Sequence, residues 1–210
     1  MKTVLVTGGT TRLGACIAAR LRADGWRVLT TSHRPDAGAD LVADLAEPMG
    51  AAKLYAAALQ LLGGNPPDAL VNNAALFSGT DETLVSLNFN APKKLTMLMA
   101  GRENGRGAVV NVLDTRVLHD AEDDEGAYAA SKRKLLDYTR TSAALYAETL
   151  TVNGIAPGPV MAPTEVHELA GELLVTRPTP EDVAAAISYL LSAPSVTGTV
   201  IPVDGGQHLL

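Results

Sequence analysis

Short apolar, β-branched runs, separated by stretches with helical spacing, constrain this chain more than any other feature. Six are plain, at 2–7, 27–31, 68–72, 107–113, 149–155 and 199–203, and a weaker one falls near 39–43. Runs without polar alternation suit strands buried on both faces, and strands alternating with helices suit βαβ units. The expected fold is α/β, a doubly wound parallel sheet of the Rossmann type with helices on both faces. Residues 82–103 place Leu84, Leu87, Ala91, Leu95 and Leu98 at helical spacing, and 180–192 do the same with Val183, Ile187, Leu190 and Leu191. Pro92 falls inside the first segment and predicts a kink there. With 210 residues, 47% of them hydrophobic, and no break in composition, residues 1–210 are expected to form one domain.

Charge and cysteine content narrow the function classes. The formal net charge is −6 and Lys and Arg are scattered, which argues against nucleic acid as a partner, since that needs a clustered basic patch. No apolar run approaches the ~18 residues of a membrane span. Residues 2–6 lead directly into a glycine turn, leaving no room for a cleaved signal, so a soluble, cytoplasmic protein is expected. Cys16 is the one cysteine and reads as helix packing. The acidic run Asp120, Glu122, Asp123, Asp124 and Glu125 reads as a solvated loop that complements the dipole of the following helix. No metal site is expected there.

The first run ends in Thr7-Gly-Gly-Thr-Thr-Arg-Leu-Gly14. Glycines between a strand and a helix let the backbone approach a pyrophosphate, and the helix N-terminus supplies N–H donors. Gly8, Thr10, Arg12, Leu13 and Gly14 are the expected contacts. A dinucleotide site commonly carries an acidic residue at the end of the second strand, or Arg where the ribose is phosphorylated. Here that stretch reads Thr30-Thr-Ser-His-Arg34, with no carboxylate before Asp36. Ser32, His33 and Arg34 can all bond a phosphate, so NADPH is expected in preference to NADH. Asp44, after the weak third run, either bonds the adenine or caps the next turn.

Tyr128 and Lys132 stand four apart in Ala127-Tyr-Ala-Ala-Ser-Lys132. A helix over 126–147 would stack both on one face. A neighbouring cation favours a phenolate, so the ammonium is expected to acidify the phenol.

Taken together, these residues resemble the short-chain dehydrogenase/reductase family over nearly the whole chain. The glycine turn, Asn72-Asn-Ala74, Asn88, Tyr128-Ala-Ala-Ser-Lys132, Pro157-Gly158 and Val203-Asp-Gly-Gly206 come in family-like order. The resemblance implies Tyr128 as proton donor, Lys132 on the nicotinamide ribose, and Asn88 holding a relay water. It also places Asn72, Asn73, Ala74, Pro157 and Gly158 at the cofactor, and implies a homotetramer. Two departures are similar to the pteridine reductase and dihydromonapterin reductase branch: Arg12 stands where most members have a glycine, and Asp114 where most have the catalytic Ser. Phe77 matches an aromatic that stacks on the pterin in that branch. The resemblance therefore implies hydride transfer from NADPH to a C=N bond of a dihydropterin, with Arg12, Phe77, Asp114 and Tyr128 at the substrate.

After Gly158 the family inserts its substrate lid, and the loop expected here, around 157–179, is short, with Ala162 where a Thr is common. A carbonyl or imine reductase of the same superfamily and a non-catalytic NADPH sensor remain alternatives. Retention of both Tyr128 and Lys132 weighs against the sensor, which needs no proton donor.

Overall fold

The computed structural model describes residues 1–103, 105–119, 126–161, 174 and 177–210. The acidic run at 120–125 and most of the 157–179 loop lie outside the described residues. Among the described residues seven strands form one sheet: β1 (Thr3–Val6), β2 (Arg27–Ser32), β3 (Leu41–Val42), β4 (Ala69–Asn72), β5 (Gly107–Val112), β6 (Leu150–Pro157) and β7 (Val200–Val203), in the order β3-β2-β1-β4-β5-β6-β7. Every pairing is parallel. β6 runs two residues past its expected end because β7 continues to pair with it through Ala156↔Pro202 and Pro157↔Val203.

Among the described residues six α-helices connect the strands: α1 (Arg12–Ala23), α2 (Gly50–Leu61), α3 (Asp81–Val85), α4 (Ala91–Ala100), α5 (Gly126–Leu145) and α6 (Pro180–Ser192). The two-residue period of a strand divides its side chains between two cores. Val4, Val6 and Val71 pack with Ile17 and Leu21 of α1 and Val183, Ile187 and Leu190 of α6. Leu5, Leu29 and Leu70 point the other way, onto Leu54 of α2 and Leu95 and Met99 of α4. Each such side chain, withdrawn from water, contributes roughly 1.5–3 kcal/mol before entropy is counted.

The irregularity expected at Pro92 sits one turn earlier. Between α3 and α4, residues Ser86–Asn90 form a π turn. Proline has no N–H for the carbonyl four residues back, and its ring crowds that carbonyl, which belongs to Asn88. Widening the turn before it accommodates both effects and leaves Asn88 inside the π turn.

The chain reverses direction across the sheet between β1 and β4. Open α/β sheets bind ligands beyond the carboxyl ends of the strands at such a switch point. The loops after β1, β2, β4, β5 and β6 all open there.

Candidate active site

The turn after β1 is held from the β4 side. Thr7 Oγ1 accepts the backbone N–H groups of Asn73 and Ala74, at 2.9 and 3.0 Å. The Asn73 amide donates to the carbonyls of Thr7 and Gly8, at 2.9 and 3.2 Å. Gly8 has φ +62°, and a Cβ on Gly14 would overlap the Gly8 carbonyl oxygen. Both glycines are therefore required by the turn itself. Arg12 is the only non-glycine with positive φ, +49°, among the described residues. An L-residue in that region costs roughly 1–2 kcal/mol, and strain of this kind tends to persist at binding sites.

At the end of β2, Ser32 Oγ accepts the Arg34 N–H at 3.0 Å, which shapes the exposed His33–Arg34 corner. Asp44 Oδ1 accepts the Ala46 N–H at 2.9 Å and forms a local turn while still lining the cavity. Sequence reading missed Asp40. Its carboxylate accepts the N–H and hydroxyl of Thr30, at 2.8 and 2.7 Å, and fastens the short β3 segment to β2.

The other end of the cavity carries the acid–base groups. Tyr128, in the first turn of α5, donates its hydroxyl to Asp114 Oδ2 at 3.0 Å. Arg116 holds that carboxylate through its backbone N–H at 3.0 Å and its Nε at 3.2 Å. Its guanidinium also lies 5.2 Å from the centre of the Tyr128 ring. Arg116 was not singled out from the sequence, and only its spacing of two from Asp114 hints at the pairing. Phe77 stacks on Tyr128, with ring centres 4.9 Å apart and planes at 27°, and remains 69% exposed.

Lys132 is buried, and its Nζ donates to the Val112 carbonyl at 2.7 Å. Burial pushes its pKa down to about 8, against an opposing pull from Asp114. The expected acidification of Tyr128 by Lys132 is not what this arrangement produces. Burial, followed by the charge and hydrogen bond of Asp114, pushes the phenol pKa well up, with only a smaller lowering from Arg116. The ionic group in contact with the phenol is an anion, and a carboxylate beside a phenol opposes the phenolate.

Two expected site residues lie behind the cavity wall. Asn88 is buried, with Oδ1 accepting the Leu76 N–H and Nδ2 donating to the Leu76 carbonyl and Ser131 Oγ, at 2.9, 2.9 and 3.1 Å. It fixes the loop that leads into Phe77. Asn72 donates to Asn111 Oδ1 at 2.8 Å, and Asn111 donates to Thr139 Oγ1 at 2.9 Å. This buried polar ladder sets α5, and with it Tyr128 and Lys132, against β4 and β5.

At the end of β6, the Gly158 N–H donates to the Val203 carbonyl at 3.0 Å, and a Cβ on Gly158 would meet Asp204 Cα at 2.9 Å. Asp204 is buried and accepts from Thr115 Oγ1 and from the backbone N–H groups of Gly206 and His208, the last two at 3.0 and 2.9 Å. Burial alone would raise its pKa, but these hydrogen bonds outweigh burial and lower it. The closing Val203-Asp-Gly-Gly motif is thereby tied to the loop that carries Asp114.

All of the expected cofactor and substrate residues except Asn72 line one cavity of about 1040 Å³, and of the expected catalytic residues only Asn88 lies outside it. Ligand pockets are typically ~300–1,000 Å³, so this one stands at the upper end of that range. Ser32, His33 and Arg34 line one end, which suits a phosphorylated cofactor, and a hydrogen-bonded phenol–carboxylate pair lies at the other. Among the described residues there is no cluster of His, Cys, Asp and Glu arranged to hold a metal, and no helix is long and apolar enough to cross a membrane.

Protein FixR of Bradyrhizobium diazoefficiens is 30% identical across 99% of this chain and 87% of its own length. Dihydromonapterin reductase of Escherichia coli is 28% identical across 98% of this chain and 96% of its own. The crystal structure of FolM alternative dihydrofolate reductase 1 from Brucella suis in complex with NADP superposes with a TM-score of 0.86 at 30% identity, covering 100% of this chain and 96% of that one. The family model for short chain dehydrogenases matches residues 2–172, and the chain belongs to that family.

Proposed function

We propose that this protein is an NADPH-dependent reductase that transfers hydride to a C=N bond of a dihydropterin, with Tyr128 as the proton donor. The observation that carries the reading is the Asp114–Tyr128–Phe77 arrangement: an acid held by a carboxylate, with an aromatic ring over it. NADPH would supply the hydride. The exposed Arg34 and His33, with Ser32 behind them, suit a 2′-phosphate, and Arg12, which lines the same cavity, is assigned to bridge phosphate and substrate.

Tyr128 is protonated at neutral pH, as a donor must be, and its raised pKa makes it a weak acid until charge develops on the atom it protonates. The phenol O–H rests on Asp114 and must turn from that carboxylate to the substrate nitrogen for transfer, while Arg116 keeps Asp114 in place. As the ring nitrogen gains negative charge, it draws the phenol proton, and Asp114 is positioned to return one from solvent. Lys132 keeps N–H donors beyond its bond to Val112 with which to fix a ribose hydroxyl. Phe77 offers an exposed face for a flat ring, and must part from Tyr128 for that ring to sit between them. The dihydromonapterin reductase and dihydrofolate reductase relatives support a pterin-type substrate. A cytoplasmic homotetramer goes with this reading, and sedimentation of the purified protein tests its assembly.

The test follows NADPH oxidation by absorbance against 7,8-dihydromonapterin, 7,8-dihydrobiopterin and dihydrofolate, with NADH and a no-substrate control alongside. Turnover confined to pterins and faster with NADPH supports the proposal. Turnover of simple ketones or quinones in place of pterins replaces it with a carbonyl reductase, and NADPH binding with no turnover replaces it with a sensing role.

A further inference from the structure

The closing segment of the chain places an unclaimed polar group in the cavity wall. Gln207 lines the cavity beside Gly158, Pro159 and Val160, and its Oε1 is buried with no hydrogen-bond partner among the described residues. A Cβ on Gly158 would lie 3.3 Å from that oxygen, so the absence of a side chain at 158 leaves Gln207 room. Its backbone is held firmly. The residues on either side, Gly206 and His208, donate their N–H groups to Asp204, the Gln207 N–H reaches the Asp204 carbonyl at 3.3 Å, and Asp204 is bonded to Thr115 next to Asp114. Asp204 thus holds Gln207 in a set position relative to the acid–base pair.

A buried amide oxygen without a partner is costly, and in a binding site the missing donor commonly comes from the ligand. A primary carboxamide presents an acceptor beside a donor, and its complement is another amide edge, an N–H next to a C=O. We infer that Gln207 is a ligand-binding residue that accepts an N–H from the amide edge of the molecule bound beside Gly158. Two sources share that chemistry: the carboxamide of the nicotinamide ring, and the lactam edge of a pterin. The second source rests on the function proposed above; the first rests only on nicotinamide cofactor binding.

The test compares wild type with Gln207→Met, which keeps length and removes polarity, and with Gln207→Glu, which keeps an acceptor and removes the amide donor. NADPH affinity is read directly by fluorescence titration, dihydropterin KM by turnover, and ligand-free stability by thermal unfolding. Gln207→Met is expected to weaken one of the two ligands by about 3- to 10-fold while leaving the ligand-free Tm unchanged or higher, since it removes an unsatisfied buried oxygen. Weakened NADPH assigns the nicotinamide carboxamide, and a raised dihydropterin KM with unchanged NADPH affinity assigns the pterin edge. Gln207→Glu, which keeps the acceptor, is expected to retain more of that ligand's affinity than Gln207→Met. Unchanged NADPH and dihydropterin values in both variants overturn the inference, as does a lower Tm for Gln207→Met with both affinities intact. If wild type turns over no dihydropterin, the pterin reading fails by itself, and the NADPH titration still decides the role of Gln207.

Discussion

Replacing Lys132 with Met removes a buried ammonium while keeping most of its length, and the consequence for stability depends on pH. In the folded chain burial lowers the Lys132 pKa from 10.5 to about 8. Below that pH the ammonium is charged in both states, and the fold carries the cost of its burial. As pH rises from about 8 towards 10.5, the folded state releases the proton while the unfolded state keeps it, so this group makes stability rise. At about 1.36 kcal/mol per pKa unit, the gain between about pH 7 and pH 10 is about 2 to 3 kcal/mol. Lys132→Met has no such term. It also leaves the Val112 carbonyl without its donor, a cost of roughly 1–3 kcal/mol that does not depend on pH. The absolute stability of the variant is therefore a poor measure, and the difference in pH slope is the informative one. Urea unfolding of both proteins at the two pH values cancels the titration of every other group they share. Stability curves for wild type and variant that run parallel between those pH values would refute the buried, depressed ammonium.

Tyr128→Phe should cut turnover by roughly 10²-fold or more while NADPH affinity measured by fluorescence stays near that of wild type; near-normal turnover would remove Tyr128 as proton donor. Arg34→Ala should weaken NADPH far more than NADH, and equal losses in both titrations would contradict the assignment of the 2′-phosphate to this corner. Arg12→Gly should relieve the left-handed strain at φ +49° and raise stability by roughly 0.5 to 1 kcal/mol in denaturant unfolding while lowering turnover; a loss of stability would show that the Arg12 side chain holds the turn together.

Much of the architecture was legible along the chain. The runs at 27–31, 68–72 and 199–203 match β2, β4 and β7 to within one residue, and α6 spans the expected 180–192. Strand and helix periods are local properties, written in neighbouring residues, so they survive without knowledge of the rest of the fold. The glycine turn, the Ser32–Arg34 corner and the Tyr128–Lys132 pair were legible for the same reason, since each is one short stretch at one end of one element.

The interplay of charges at the site was not legible. The spacing of Tyr128 and Lys132 suggested that the ammonium acidifies the phenol, but the fold turns Lys132 onto Val112 and puts Asp114 against the phenol. Arg116 over the Tyr128 ring, Asp40 on Thr30 and the bond between Thr115 and Asp204 likewise join residues whose pairing no periodicity marks. The sequence by itself determined the sheet, the helices on its two faces and the end of the sheet where the site opens, because those follow from the spacing of apolar side chains. Only the tertiary structure decided which partner each ionisable group meets. Those partners come from loops at the ends of different strands, and a pKa depends on the distance and burial that their meeting creates.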